Sequence, residues 1–198
     1  MLESHIRPIY QRTLVDPLAR VLCPWSFLSA NRISIISGVL GLFVLAALAL
    51  GHPWMAVGFL WLSGYLDTLD GTLARMRRSA SPFGSVLDIF ADRVVEASCV
   101  IGLYLMLPAS RGFLCLLMLS SILLCITSFL VVGVFSENES HKSFHYSPGL
   151  MERAEAFIFF TAMILLPHYF VILSLVFSAL VLWTGIARIR AFGVQARS

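Results

Sequence analysis

The sequence predicts an all-α integral membrane protein, a bundle of six transmembrane helices preceded by an N-terminal interfacial amphipathic helix. Three observations lead there. Hydrophobic residues make up 59% of the 198 residues and charged ones only 13%, with a mean hydropathy of +0.88, more apolar than a soluble domain tolerates. Apolar stretches at 33–50, 54–66, 94–107, 113–135, 156–173 and 171–187 approach or reach the ~20 residues that cross a hydrocarbon core, once the polar ends of the second and third are included. The cations behind the net charge of +3 fall mostly at the ends of these stretches, which suits contact with membrane lipids and gives no reason to expect a nucleic-acid partner.

Along the chain, Leu14, Leu18, Val21 and Leu22 recur at helical spacing against Arg12 and Arg20, with Pro8 and Pro17 as breaks, so residues 1–24 read as a helix lying in the interface. The charged residues within Met1 to Pro24 do not match a cleavable signal, and no processing is expected. Polar turns around Cys23-Pro24-Trp25 and Ser29-Ala30-Asn31 precede the first span, and Gly51-His52-Pro53 ends it. Arg75, Arg77 and Arg78 crowd one loop and Arg188, Arg190 and Arg197 the C-terminal segment, whereas Gly51–Pro53 and Pro167-His168 carry no lysine or arginine. The positive-inside rule then puts both termini and the charged loops in the cytoplasm, and the expected location is a multi-pass protein of a bacterial inner membrane. Residues 136–147, with Glu137, Glu139, His141, Lys142 and His145, read as a cytoplasmic connection in which the histidines are solvated. Cys23, Cys99, Cys115 and Cys125 lack a CxxC pair and read as buried thiols rather than zinc ligands or disulfides. With short connections and no internal repeat, residues 1–198 form one membrane domain, its six-helix core at 31–190.

Asp67, Asp70, Asp88 and Asp92 lie in the ends of two otherwise apolar helices joined by a basic turn. Aspartate at the centre of a membrane helix costs ~2.5–3.5 kcal/mol on the insertion scale, so four facing lipid would cost on the order of 10 kcal/mol. They must face a polar interior. Spacings of three and four put each pair on one face of its helix, and an antiparallel hairpin lets the pairs meet. Carboxylates held that close repel or take up protons unless a cation neutralises them, and an oxygen-only ligand set favours Mg²⁺, Mn²⁺ or Ca²⁺. Gly64, Gly71, Ala74 and Gly84 beside the acids leave room for a ligand or a neighbouring helix.

The run Asp67-x-x-Asp70-Gly71-x-x-Ala74-Arg75, followed by Gly84-x-x-x-Asp88-x-x-x-Asp92, resembles the complete signature of the CDP-alcohol phosphotransferase family, with all eight positions at unaltered spacing. The resemblance implies transfer of a substituted phosphate from a CDP-linked donor such as CDP-diacylglycerol to an alcohol, with release of CMP. It implies Asp67, Asp70 and Asp88 as ligands of two Mg²⁺ or Mn²⁺ ions. Asp92 would be a ligand and the general base, with Asp88 beside it in the catalytic group. Gly71, Ala74 and Gly84 would be space for the cytidine nucleotide, and Arg75 the grip on the diphosphate. Asn31, in an Asn-Arg-Ile-Ser element similar to one that precedes the family's first core helix, would also bind substrate. The partners implied are the CDP donor, a small alcohol or lipid acceptor, and a second copy of the chain.

Arg93 and Glu96, three apart, can form an ion pair beside Asp92. Residues Gly149 to Glu155 resemble a stretch in relatives that act on inositol-type acceptors, which makes Arg153 a candidate substrate contact. Relatives using a phosphorylated inositol carry a basic cluster where this chain reads Val134 to Glu139; Lys142, Arg153 and Arg188 are the cations left for that task. Phe157, Phe159, Phe160, Tyr169 and Phe170 read as packing or lipid-facing, and Trp54 and Trp183 as interfacial belt residues. An ion-coupled transporter with an intramembrane acidic site is the rival reading, and it predicts helix breaks and pseudo-repeats that the sequence lacks.

Overall fold

The computed structural model describes residues 10–25, 28–136 and 151–195, and every regular element among them is helical. A π-helical turn at Gln11–Val15 runs into α1 (Asp16–Leu22), followed by α2 (Ala30–Ala49), α3 (Pro53–Met76), α4 (Pro82–Met106), α5 (Pro108–Ser136), α6 (Arg153–Leu165), a 3₁₀ turn at Pro167–Tyr169, and α7 (Phe170–Gln195). Prolines open α3, α4 and α5, where the missing N–H would have had no helical acceptor. Expected loop residues Glu137 to Ser147, with His141, Lys142 and His145, lie outside the described residues.

By length and composition three helices can cross a membrane: Ala30–Ala49, Pro108–Phe135 and Pro167–Val194. These are the first, fourth and sixth of the expected spans. With 24 and 25 residues, α3 and α4 extend about 36 Å each at ~1.5 Å per residue, well beyond the apolar stretches 54–66 and 94–107, and carry the aspartates on their added turns. The break between the last two spans falls at Pro167–Tyr169, the uncharged loop expected at Pro167-His168, although the apolar stretch 156–173 runs past it: α6 stops at Leu165, because Pro167 has no N–H to continue α6.

The chain falls into two compact units, one ending at Ala109 and the other beginning at Ser110. In the first, α2 packs along both α3 and α4, while α3 and α4 touch over only a short stretch. Helix α2 is suited to this place by its small residues. A Cβ on Gly41 would lie 2.8 Å from the Val95 Cα of α4, a backbone atom that cannot yield locally, whereas one on Gly38 would rest 3.4 Å from the Ala91 Cβ. Gly41→Ala should therefore destabilise the protein by about 1–3 kcal/mol through overpacking. Gly38→Ala should be neutral or gain part of the ~1 kcal/mol helix preference of alanine. Thermal unfolding in detergent compares them, and a Gly41→Ala protein as stable as the parent would refute the close-packing account. Between α2 and α3, Ser37 and Ser63 exchange bonds, each hydroxyl donating to the other residue's carbonyl at 3.0 Å, so buried polar groups satisfy one another without water.

Val15 and Ala19 sit in a fully buried cluster with Ile33, Leu69 and Leu73. Of the apolar residues read at helical spacing, Leu18 and Leu22 pack against this cluster, whereas Leu14 and Val21 are 57% and 61% exposed. Pro17 does not break the helix as expected, since it occupies the first turn of α1. Arg77 ties this segment down. Its Nε donates to the Cys23 carbonyl (3.1 Å), Nη1 to Leu28 (2.6 Å), and Nη2 to Leu22 (2.6 Å) and Trp25 (3.0 Å). One guanidinium thus satisfies carbonyls at and after the end of α1, where helical partners are lacking. At the end of α3, Ser79 N–H bonds the Ala74 carbonyl (2.9 Å) and Arg78 N–H that of Arg75 (3.2 Å), the Schellman pattern, with Arg78 in the left-handed region at φ 51°.

In the second unit Phe160 and Phe177 pack with ring centroids 5.3 Å apart. The buried Arg111 lies 4.2 Å over the Phe170 ring, a cation–π contact. Arg188 donates to the Cys125 carbonyl (3.2 Å) and Ser128 Oγ (3.3 Å). Trp54 and Trp183 are exposed. All four cysteines are free, but only Cys99 and Cys115 are buried; Cys23 and Cys125 are half-buried, a correction for those two, because they lie at a helix end and beside Arg188.

Candidate active site

Asp67 and Asp70 belong to the last three turns of α3, and Asp88 and Asp92 to the second and third turns of α4. Asp70 is buried, while Asp67, Asp88 and Asp92 are half-buried. Asp67, Asp70 and Asp88 each bring one carboxylate oxygen within 4.8 Å of the other two. Asp92, one turn beyond Asp88, is not among the three. Three carboxylate oxygens this near one another could be drawn together onto one divalent ion, whose oxygen ligands lie at ~2.0–2.1 Å. The donors are all carboxylate oxygens, which suits Mg²⁺ or Mn²⁺.

Helix α2 completes the site. Ser29 caps it, accepting from the Arg32 N–H at 3.3 Å, and one helical turn further Ser34 Oγ donates to Asp70 Oδ2. That bond holds the buried carboxylate in one rotamer, the kind of support that orients a metal ligand. Ser34 was not singled out from sequence, although its spacing of three from Asn31 put it on the same face. Asn31 itself meets Gly84: a Cβ on Gly84 would lie 3.2 Å from Asn31 Oδ1 and 3.3 Å from Ser81 Oγ. Ser81 caps α4 by accepting from the Gly84 N–H (3.1 Å). The small residue at 84 therefore makes room for the Asn31 amide.

On α3, a Cβ at Gly71 would lie 3.4 Å from Arg75 Nη1, so that guanidinium lies back along the helix over Gly71, and Nη2 donates to Thr72 Oγ1 at 3.1 Å. Ala74 is half-buried and Arg75 exposed. Arg93 Nη1 bonds Glu96 Oε2 in the expected ion pair. Arg153 opens α6 in the second unit, 5.3 Å over the Phe157 ring.

Comparison with known proteins adds to this geometry. The family model described as CDP-alcohol phosphatidyltransferase matches residues 27–189, across both compact units. The inner membrane protein YnjF of Escherichia coli is 29% identical over 96% of this chain and 94% of its own length. The archaetidylinositol phosphate synthase of Methanothermobacter thermautotrophicus is 29% identical over 80% of this chain and 75% of its own. Among solved structures, Mycobacterium tuberculosis phosphatidylinositol phosphate synthase (PgsA1) with manganese and citrate aligns with a TM-score of 0.75 at 19% identity, covering 90% of this chain and 88% of that one. The same protein with CDP-DAG bound aligns at 0.74, covering 90% and 93%. At that identity the likeness shows a shared fold.

Proposed function

Because the chain belongs to the CDP-alcohol phosphatidyltransferase family, we propose that it transfers a phosphatidyl group from CDP-diacylglycerol to the hydroxyl of a small alcohol, releasing CMP. The observation that carries this reading is the convergence of Asp67, Asp70 and Asp88 from two helices on one point, inside a motif that also supplies Arg75 and Asp92. Bound Mg²⁺ or Mn²⁺ would draw charge from the donor's phosphate oxygens. Asp67, Asp70 and Asp88 would hold a first ion and Asp92 would help hold a second; a structural relative was solved in complex with manganese. Arg75 grips the diphosphate through charge-assisted hydrogen bonds. Asp92 accepts the proton of the acceptor hydroxyl as its oxygen bonds the phosphorus of the phosphatidyl group and the bond to CMP breaks. Gly71 and Ala74 leave space for the nucleotide, while Gly84 lets Asn31 approach it.

The acceptor is a polyol or its phosphate. Support comes from the archaetidylinositol phosphate synthase relative. Purified protein given CDP-diacylglycerol, Mn²⁺ and, in turn, inositol phosphate, glycerol phosphate, inositol or serine should release CMP with one of the first three and not with serine. No CMP release with any, at saturating donor and metal, would overturn the transferase reading.

The full layout has six spans, with the N-terminal segment lying in the interface through the exposed Leu14 and Val21 and the active site facing the cytoplasm of a bacterial inner membrane, as the name of the E. coli relative suggests. In a background lacking the four native cysteines, cysteines at Ser79 and Pro53 should label from opposite faces, Ser79 from the cytoplasm. Labelling of both from one face contradicts this topology.

A further inference from the structure

Arg75 stands where two faces of α3 meet. It is four residues from Gly71, on the face of the acids, and three from Thr72, on the face that meets the N-terminal segment. Its Nη1 lies over Gly71, while Nη2 donates to Thr72 Oγ1 (3.1 Å). The Thr72 side chain has only 4% exposure and its hydroxyl is saturated. Its one proton goes to the Thr68 carbonyl (2.9 Å), which leaves two lone pairs for donors. One takes Arg75 Nη2; the other takes Gln11 Nε2 at 2.7 Å. Gln11 Nε2 also donates to Asp16 Oδ1 (3.0 Å). Gln11, Asp16, Arg20, Thr72, Arg75 and Met76 line a cleft of about 280 Å³, so Asp16 is a carboxylate within the same cleft as Arg75. A guanidinium prefers such a partner to water, and Gln11 stands between them, occupying one oxygen of Asp16.

We infer that Thr72 and Gln11 are positioning residues that hold the Arg75 guanidinium over Gly71 and away from Asp16, so that docking of the N-terminal segment on α3 sets the affinity for the CDP donor. The inference rests on the reading of Arg75 as the grip on the diphosphate. Neither residue touches the reacting atoms, so their loss should act on donor binding and leave the chemical step alone. The Thr72 hydroxyl fixes the direction of Nη2, and Gln11 fixes the hydroxyl and masks the competing carboxylate.

The test is steady-state CMP release by the full-length protein in detergent micelles with CDP-diacylglycerol, at saturating Mn²⁺ and acceptor. Thr72→Val, equal in shape but without the hydroxyl, should raise the apparent KM for the donor about fivefold, the size of one lost hydrogen bond, with kcat kept. Thr72→Ser should return KM toward the parent value. Gln11→Leu, on the surface segment, should raise KM about threefold by the same reasoning and carries the test if Thr72→Val does not fold. Asp16→Asn added to either variant should recover part of the loss, because the competing charge is gone; a merely structural defect would not respond. In an Arg75→Ala background Thr72→Val should add nothing. An unchanged KM in Gln11→Leu and Thr72→Val while Arg75→Ala raises it, a Thr72→Ser protein as impaired as Thr72→Val, or no recovery from Asp16→Asn overturns this inference alone. A normal donor KM in Arg75→Ala overturns the reading of Arg75 and this inference with it.

Discussion

Asp67→Asn and Asp88→Asn are each expected to lower CMP release on the order of a thousandfold, comparable with removing a principal electrostatic contact to a transition state, while the protein stays helical and membrane-inserted. The reason is local. Each substitution keeps the side chain's shape but removes one of three charges that meet within 4.8 Å and turns an N–H₂ donor toward the cation. Divalent-ion affinity, measured directly, should fall with activity. Ser34→Ala provides a graded control: it keeps all three carboxylates and removes only the hydroxyl donated to Asp70, and losses of about tenfold in metal affinity are usual for such supporting contacts. Full turnover by either Asn variant, or undiminished turnover in excess EDTA, would sink the metal mechanism.

Asp92→Asn and Arg75→Ala should fail in different ways. Arg75 cannot accept a proton near neutral pH but can clamp a diphosphate, and losing hydrogen bonds to a charged group corresponds to about a tenfold to hundredfold rise in the donor's apparent KM. Asp92 can accept a proton, and removing a general base lowers kcat by about a hundredfold to ten-thousandfold, with donor binding largely kept. Asp92 lies outside the close trio, so the first metal position should survive its substitution, and metal occupancy measured beside the kinetics separates a lost ligand from a lost base. Near-normal kcat in Asp92→Asn would remove it as the base. Normal donor binding by Arg75→Ala would move the diphosphate contact elsewhere, with Arg32 the next candidate.

How far these residues could be read in advance depended on the range of the interaction. The acids stood out because charge in an apolar helix is costly wherever the helix goes, and their spacings of three and four are properties of a single helix. The Arg93–Glu96 ion pair was readable for the same reason. The helix starts at Pro53, Pro82 and Pro108 were not read from sequence, although a proline's missing N–H acts locally. Pro17 was misread as a break because proline is tolerated in a first turn, and which turn comes first depends on the backbone around it.

By itself, then, the sequence determined an apolar all-helical chain, a carboxylate pair on each of two neighbouring helices, and the family signature built around them. Tertiary packing alone decided that α2 packs along both α3 and α4, through contacts as tight as Gly41 on Val95, and so supplies Ser34 to Asp70 and Asn31 to Gly84. It also decided that three of the acids meet closely, that Arg77 serves backbone carbonyls rather than the membrane surface, and that Gln11 reaches Thr72 across 61 positions of sequence. These contacts join residues far apart in the chain, and no helical period encodes which distant donor will find which acceptor once the apolar faces have packed.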